Sequence, residues 1–143
     1  MTVRRILAAK GRDVFTISPE SKISDAVSVL FARRLGALLV TDGAGAIVGI
    51  VSERDVVRIL ATQGPSSLDH PVSLCMSREV ITTVESATVQ SVMSEMTKGR
   101  FRHLPVVEQG KLIGIVSIGD VVKHRLAEME DEQQALREYI GTA

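Results

Sequence analysis

Apolar residues follow one order of elements twice along this 143-residue chain. Each copy begins with a short β-branched run, which is followed by apolar residues at helical spacing. Two short apolar runs around a glycine-containing turn come next, and a second helical pattern ends the copy. Residues 14–60 recur as residues 80–125, an offset of 65 or 66 positions. A repeat of this kind indicates two similar structural units. The pattern therefore predicts an α+β (mixed α/β) fold, a tandem repeat of strand–helix–strand–strand–helix with a pseudo-twofold axis.

The boundaries of these elements follow from caps and turn residues. In the first copy we expect Ser24 to cap the first helix, Gly36 to end it and Ser52 to cap the second helix. The expected strands are 14–17, 37–40 and 47–51 in the first copy and 80–82, 104–107 and 112–116 in the second.

The chain divides at changes of composition. We expect a first repeat with its lead-in at 1–63, a loop-like linker at 64–72, a second repeat at 73–127 and a charged helical tail at 128–143. The tail fits a solvated helix end and a partner-binding helix about equally well. Its possible apolar stripe is Met129, Leu136, Tyr139 and Ile140.

Composition excludes several classes of function. Seventeen basic and seventeen acidic residues cancel, and aromatic residues make up only 3%, so neither nucleic acid nor an anionic membrane is an expected partner. No apolar stretch is long enough to span a membrane, and the single cysteine, Cys75, fits a reducing compartment. We expect a cytoplasmic protein that is not an enzyme, because the sequence contains no nucleophile elbow, metal-ligand spacing or P-loop.

The repeated motif Gly-x-x-Ser-x-x-Asp is the sharpest chemical signal. Each motif places a serine where a strand becomes a helix and an aspartate one turn later, at Gly49, Ser52 and Asp55 and at Gly114, Ser117 and Asp120. Helix N–H groups and a hydroxyl suit a phosphate, and a carboxylate can accept hydrogen bonds from a ribose diol. The strand glycines could admit a ligand or another backbone. The alternative is a capping box that needs no ligand.

A cationic stretch precedes one strand of the second copy. Arg102 and His103 are candidates for phosphate contacts, because arginine forms bidentate pairs with phosphate. Gly36 and Ala37 occupy the matching positions in the first copy. Arg100 is better explained as a charge at the C-terminus of a helix.

These motifs together resemble those of the CBS (cystathionine-β-synthase) domain pair, or Bateman module. The resemblance spans about residues 3–127 and is carried by His103-Leu104-Pro105-Val106-Val107 and by the Ser-Glu-Arg-Asp and Ser-Ile-Gly-Asp ends. It implies binding of an adenosyl ligand such as AMP, ADP, ATP, NAD(H) or S-adenosylmethionine in two clefts between the repeats. It also implies regulation of a separate, unidentified protein, and a homodimer.

The resemblance assigns ribose binding to Asp55 and Asp120, with the base bordered by the first strand of the opposite repeat. One expected cleft joins Ser52, Arg54 and Asp55 to Val80, Ile81, Thr82, Arg102 and His103. The other joins Ser117 and Asp120 to Val14, Phe15, Thr16, Ala37 and Leu38. Only the first set includes cationic donors, so the two clefts are expected to be unequal, with tighter phosphate binding at Asp55.

Two functional hypotheses follow. The first is a nucleotide-sensing regulatory module. The second is a ligand-free dimerising scaffold whose charged C-terminal helix engages a partner. Both include a homodimer, for which the expected apolar faces are Val27, Leu30 and Phe31 on one helix and Met93 and Met96 on another.

Overall fold

The computed structural model describes residues 1–142, which fall into two compact units. The first repeat unit is Val14–Val80, and the second repeat unit joins Met1–Asp13 to the chain from Ile81 onwards. The helices and strands are α1 (Val3–Lys10), β1 (Thr16–Ile17), α2 (Ile23–Arg33), β2 (Ala37–Thr41), β3 (Ile47–Ser52), α3 (Glu53–Gln63), α4 (Val89–Gly99), β4 (His103–Glu108), β5 (Lys111–Ser117) and α5 (Ile118–Thr142). The mixed α+β fold and its repeat are confirmed.

The first repeat unit is built on a three-stranded sheet in the order β1-β2-β3. Strand β1 runs parallel to β2, and β2 and β3 form the expected antiparallel hairpin, with Val40 opposite Gly49. Strand β2 is apolar and buried from Ala37 to Val40, as its continuous apolar run predicts. Helices α2 and α3 add Ile23, Ala26, Leu30, Val56 and Ile59 to the same core.

The second repeat unit has the β4–β5 hairpin but not the strand expected at 80–82. Thr83 alone pairs with β4, donating its N–H to the Pro105 carbonyl and accepting from the Val107 N–H, both at 2.9 Å. Extending this parallel ladder back to Ile81 would require an N–H from Pro105, which proline lacks. The side chain of Ile81 is correspondingly exposed.

The predicted helix ends also need correction. Helix α2 begins at Ile23 after Lys22, so Ser24 lies within its first turn instead of capping it. It ends at Arg34, which adopts the left-handed conformation (φ 55°), not at Gly36. Arg100 closes α4 in the same way (φ 56°). Its position at the helix end agrees with the dipole interpretation made for it.

The segments that precede the repeats pack in a crossed order. The linker expected at 64–72 contains the 3-10 helix Pro65–Asp69 and the start of a second one, Val72–Leu74, and buried Val72 belongs to the core of the first repeat unit. Helix α1, which precedes the first repeat in sequence, places Val3 and Leu7 in the core of the second repeat unit. Each unit is thus completed by the segment that precedes the other repeat. The sequence-based division assigns residues 1–13 to the first repeat as its lead-in, whereas in the structure they pack with the second repeat unit.

The apolar faces expected at a dimer contact are only partly exposed. Leu30 and Met96 are buried in the cores of their units, and Met93 packs against the second core. Val27 and Phe31 are exposed. Core packing thus accounts for the buried members of both faces.

Within residues 1–142, no helix is both long enough and apolar enough to cross a membrane.

Candidate functional site

The start of α3 is a reciprocal capping box. Asp55 Oδ2 accepts hydrogen bonds from the Ser52 N–H at 2.8 Å and from the Ser52 hydroxyl at 3.0 Å, and the Asp55 N–H donates to Ser52 Oγ at 3.3 Å. The other carboxylate oxygen, Oδ1, contacts Arg58 Nη1 at 3.2 Å. Asp55 is buried although it is charged. The box closes the strand-to-helix corner and holds the carboxylate in one orientation.

The start of α5 repeats this geometry with a different cation. Asp120 Oδ2 accepts from the Ser117 N–H at 2.9 Å, and the Asp120 N–H donates to Ser117 Oγ at 3.2 Å. Lys10, the last residue of α1, places its Nζ 2.6 Å from Asp120 Oδ2 and 3.0 Å from the Ile115 carbonyl. Oδ2 thus serves both the helix cap and the lysine.

The pKa of Asp120 reflects this cation. Burial raises the pKa, but the hydrogen bond from Lys10, the bonds from Ser117 and the positive charge of Lys10 together lower it below its usual value. Asp120 is therefore held as a carboxylate, the form that a ribose diol would need as an acceptor.

The capping-box alternative is thus realised at both helix starts, and the strand glycines are explained by protein contacts. A Cβ at Gly49 would lie 2.6 Å from Met76 Sδ and 2.9 Å from the Ser77 carbonyl oxygen. A Cβ at Gly114 would lie 2.7 Å from a methyl carbon of Leu7. The glycines admit the two segments that complete the units, so they are not evidence for a ligand.

The expected phosphate contacts lie at the helix starts of their own units. Arg54 is exposed in the first turn of α3. Arg102 is exposed, and its carbonyl accepts the Ile118 N–H at 2.8 Å, which fixes it beside the start of α5. His103 stands directly opposite Ser117 in the β4–β5 register. A surface groove of about 740 Å³ beside α5 is lined by Arg102, Ile118, Gly119, Val122, Lys123, Leu126, Ala127 and Glu130.

The residues expected around the base of the ligand differ in how far their side chains are exposed to solvent. Phe15 is partly exposed and carries the Arg33 guanidinium 4.7 Å from its ring centroid, a cation–π contact. Ala37 and Leu38 are buried in β2, so only their backbone could border a base. Thr16, Ile81 and Thr82 are exposed, and Val14 and Val80 are half-buried.

The sequence interpretation missed two cations. Arg58 follows Asp55 at a spacing of three residues, which helix geometry alone would have indicated. Lys10 lies 110 positions before Asp120 and reaches it only because α1 packs on the second repeat unit. The expectation that the Asp120 end has no cationic donor is therefore wrong.

The fold and the paired Ser-x-x-Asp helix starts define a tandem-repeat protein whose two halves share one architecture. Comparison with known proteins gives its family: the chain belongs to the CBS-domain family, whose model matches residues 3–62 and 72–127. The mitochondrial CBS domain-containing protein CBSX3 of Arabidopsis thaliana is 34% identical over 97% of this chain and 71% of its own length. Some other curated relatives are much longer, and this chain spans 23% of CBSCBSPB5 of Arabidopsis thaliana, to which it is 30% identical over 90% of its own length.

Solved structures share the fold. The CBS-domain protein ATU1752 of Agrobacterium tumefaciens matches with a TM-score of 0.85 and 47% identity, over 87% of this chain and 92% of that one. The CBS domain pair of MJ0100, solved with 5-methylthioadenosine and S-adenosyl-L-methionine, matches with a TM-score of 0.79 and 26% identity, over 90% and 98%. CBSX2, solved with AMP, matches with a TM-score of 0.69 and 26% identity, over 82% and 90%.

Proposed function

We propose that this chain is a regulatory module that binds an adenosyl nucleotide, AMP, ADP, ATP or NAD(H), and modulates a separate partner protein as a homodimer. The observation that carries the proposal is the pair of oriented carboxylates, Asp55 and Asp120, at equivalent helix starts. Similar CBS-domain structures contain AMP or S-adenosyl ligands. In each aspartate the helix cap uses Oδ2, and a ribose diol would donate its hydrogen bonds to Oδ1.

Each helix start offers the chemistry that such a ligand needs. Oδ1 of Asp55 accepts a hydrogen bond from Arg58, a largely exposed side chain that a ribose could displace. At Asp120 the cap and Lys10 both bond to Oδ2, and Oδ1 is the oxygen for the ribose. The assignment of Arg102, His103 and the 80–82 segment to the Asp55 end rests on the family resemblance and stays a prediction.

A ligand-free scaffold is the second candidate, and one observation favours it. Asp120 already has a cationic partner at 2.6 Å, and Asp55 completes a capping box, so both carboxylates have a structural role without a nucleotide. The two aspartates thus fit the scaffold as well as the sensor, and a measurement of ligand binding separates the two candidates.

Thermal unfolding with AMP, ADP, ATP, NADH and S-adenosylmethionine separates the two candidates. A ligand that binds only the folded state stabilises it by about 2.7 kcal/mol at 100 times its dissociation constant. For a domain of this size we expect the melting temperature to rise by several degrees. If millimolar concentrations of all five leave the melting temperature unchanged, the sensor proposal fails and the scaffold is favoured.

Matched substitutions then locate the site. Calorimetry should show weaker nucleotide binding in Asp55→Ala than in Asp120→Ala, because the resemblance assigns Arg102 and His103 to the Asp55 end, whereas Lys10 at the Asp120 end is already bonded to the carboxylate. Arg102→Ala should weaken AMP binding about 10- to 100-fold, the loss of one charged hydrogen bond, and leave adenosine binding almost unchanged. Loss of the tighter site in Asp120→Ala but not in Asp55→Ala would reverse the assignment.

A further inference from the structure

Helix α5 carries an exposed apolar stripe with the period of a coiled coil. Val122, Leu126, Met129, Leu136 and Ile140 are exposed by 41, 55, 46, 59 and 64%. Their spacing places them at successive d and a positions of a heptad, with Gln133 filling the remaining a position. The stripe is distinct from the face that α5 presents to its own unit, where Val121 is fully buried.

The second half of this helix is exposed to solvent. Every residue from Met129 to Gly141 is exposed. A helical segment of this length is marginal in water when it stands alone, and most helices are stabilised by packing an apolar face. Continuation of α5 to Thr142 therefore indicates a partner for the stripe.

The charges beside the stripe identify that partner. We propose that α5 packs against α5 of a second copy of this chain as a parallel, in-register coiled coil. In that arrangement a g position faces the e position of the next heptad on the other helix. Arg125 then faces Glu130 of the second copy, and Glu132 faces Arg137 of the second copy. Both pairs have opposite charges, and the twofold axis makes each pair twice.

The antiparallel arrangement with full overlap is disfavoured by the same residues. There e positions face e positions and g positions face g positions. Glu130 would meet Glu130 of the second copy, Lys123 would meet Arg137, and Glu132 would meet Glu132. Every one of these charged pairs is repulsive. Gln133 adds to the preference, because in the parallel register the two amides can bond to each other, and a polar a position fixes register.

This surface deepens the self-association included in the proposed function, but it does not depend on a nucleotide. The stripe begins at the groove beside α5, where Val122 and Leu126 are lining residues, and runs to Ile140. Within one helix Arg125 contacts Glu128 at 2.5 Å and, more loosely, Glu132 at 3.8 Å, so pairing with Glu130 of the second copy requires its guanidinium to turn from Glu128 towards the stripe.

Disulfide trapping tests the register directly. In a Cys75→Ser background, Gln133→Cys should form a covalent dimer in mild oxidant, because parallel helices bring equal a positions together. Gln134→Cys is the matched control, since its b position faces away from the partner helix. The expected result is a strong dimer band for position 133 and little for position 134. Equal trapping at both positions, or trapping at 134 alone, would overturn the proposal.

Charge reversal tests the partner. Sedimentation equilibrium should show a dimer for the wild type and a dimer at least about tenfold weaker for Arg137→Glu, because two attractive pairs become repulsive. The double variant Glu132→Arg/Arg137→Glu should restore the dimer. A monomeric wild type contradicts the proposal. A dimer whose dissociation constant is unchanged in both variants also contradicts the proposal, because it would indicate self-association through another face.

Nucleotide-induced melting shifts, measured on the same variants, report separately on the proposed function. If the nucleotides still raise the melting temperature but no α5 dimer is trapped, only the proposed dimer surface is wrong. If the α5 dimer is trapped but no nucleotide raises the melting temperature, only the proposal of nucleotide binding is wrong.

Discussion

The two helix starts share one backbone motif but stabilise their carboxylates differently. In the first repeat unit, the Asp55 side chain is 6% exposed, and its cation, Arg58, comes from the next turn of the same helix. In the second repeat unit, the Asp120 side chain is 24% exposed, and its cation, Lys10, comes from α1 at the other end of the chain. A repeated sequence therefore specifies a repeated corner, whereas the electrostatics of each corner depend on what packs beside it.

The same contrast holds for the segments that complete the units. Leu7 of α1 lies against Gly114, while Met76 and the Ser77 backbone lie against Gly49. Helix α1 occupies this place in one unit, and the segment at Met76 and Ser77, which follows a 3-10 helix and forms an antiparallel bridge with Ile50, occupies it in the other. The two units therefore differ in the segments that complete them as well as in the first strand, which is present as β1 only in the first repeat unit.

The largest expected effect comes from removing the helix contact. Leu7→Ala should lower the free energy of unfolding by about 2–5 kcal/mol, because Leu7 is fully buried and its loss leaves a cavity. Met76→Ala, the counterpart in the first repeat unit, should cost less because Met76 is only partly buried. Urea denaturation measures both. A greater loss for Met76→Ala would show that the first unit depends more on its completing segment.

The two glycines should rank in a definite order. Gly49→Ala should cost about 1–3 kcal/mol, because its Cβ would press on the Ser77 carbonyl oxygen. That oxygen accepts the Ile50 N–H, and the Ser77 N–H donates to the Ile50 carbonyl, so the backbone there is held on both sides. Gly114→Ala should cost less, because the ends of the Leu7 side chain can rotate away. Thermal melting of the two variants tests the order, and equal losses would mean that the Ser77 segment moves as easily as a side chain.

The smallest effect should be a pH-dependent one at Lys10. The folded-state pKa of Asp120 is lowered, so its contribution to stability is present above the unfolded value near pH 3.9 and is lost as pH falls through the folded value. Lys10→Met should raise this pKa and cost at most about 1 kcal/mol at pH 7, since the lysine is one-third exposed. The cost should shrink towards pH 3.

Carboxyl NMR titration of Asp120 and unfolding at both pH values measure these changes. Arg58→Met is the matched control, with a smaller loss expected from a more exposed partner. An Asp120 titration that does not respond to Lys10→Met would exclude the ion pair in solution.

Much of the fold could be predicted from the sequence because its elements are local. The hairpins follow from buried apolar runs around turns, and Ser52 is the predicted helix cap. The strand expected at 80–82 was wrong because its ladder depends on Pro105, a residue on another strand. The helix end at Arg34 was missed because a left-handed arginine carries no sequence signal comparable with glycine.

The candidate site was predictable in its aspartates and serines but not in its cations. Spacing identifies a Ser-x-x-Asp corner, and it would have identified Arg58. Lys10 required knowledge of which unit α1 joins, and that is decided by the fit of Val3, Ile6 and Leu7 into a distant core. Long-range packing of this kind has no local pattern.

The crossed packing of the leading segments has a consequence for the order of folding. The first repeat unit is one continuous stretch, Val14–Val80, and can close as soon as that stretch has left the ribosome. The second repeat unit needs residues from both ends, because the Val3 N–H bonds to the Ala87 carbonyl and Leu7 shares a core with Val121. Residues 1–13 are synthesised before their packing partners and have to wait for β4, β5 and α5, and closing so long a loop slows folding.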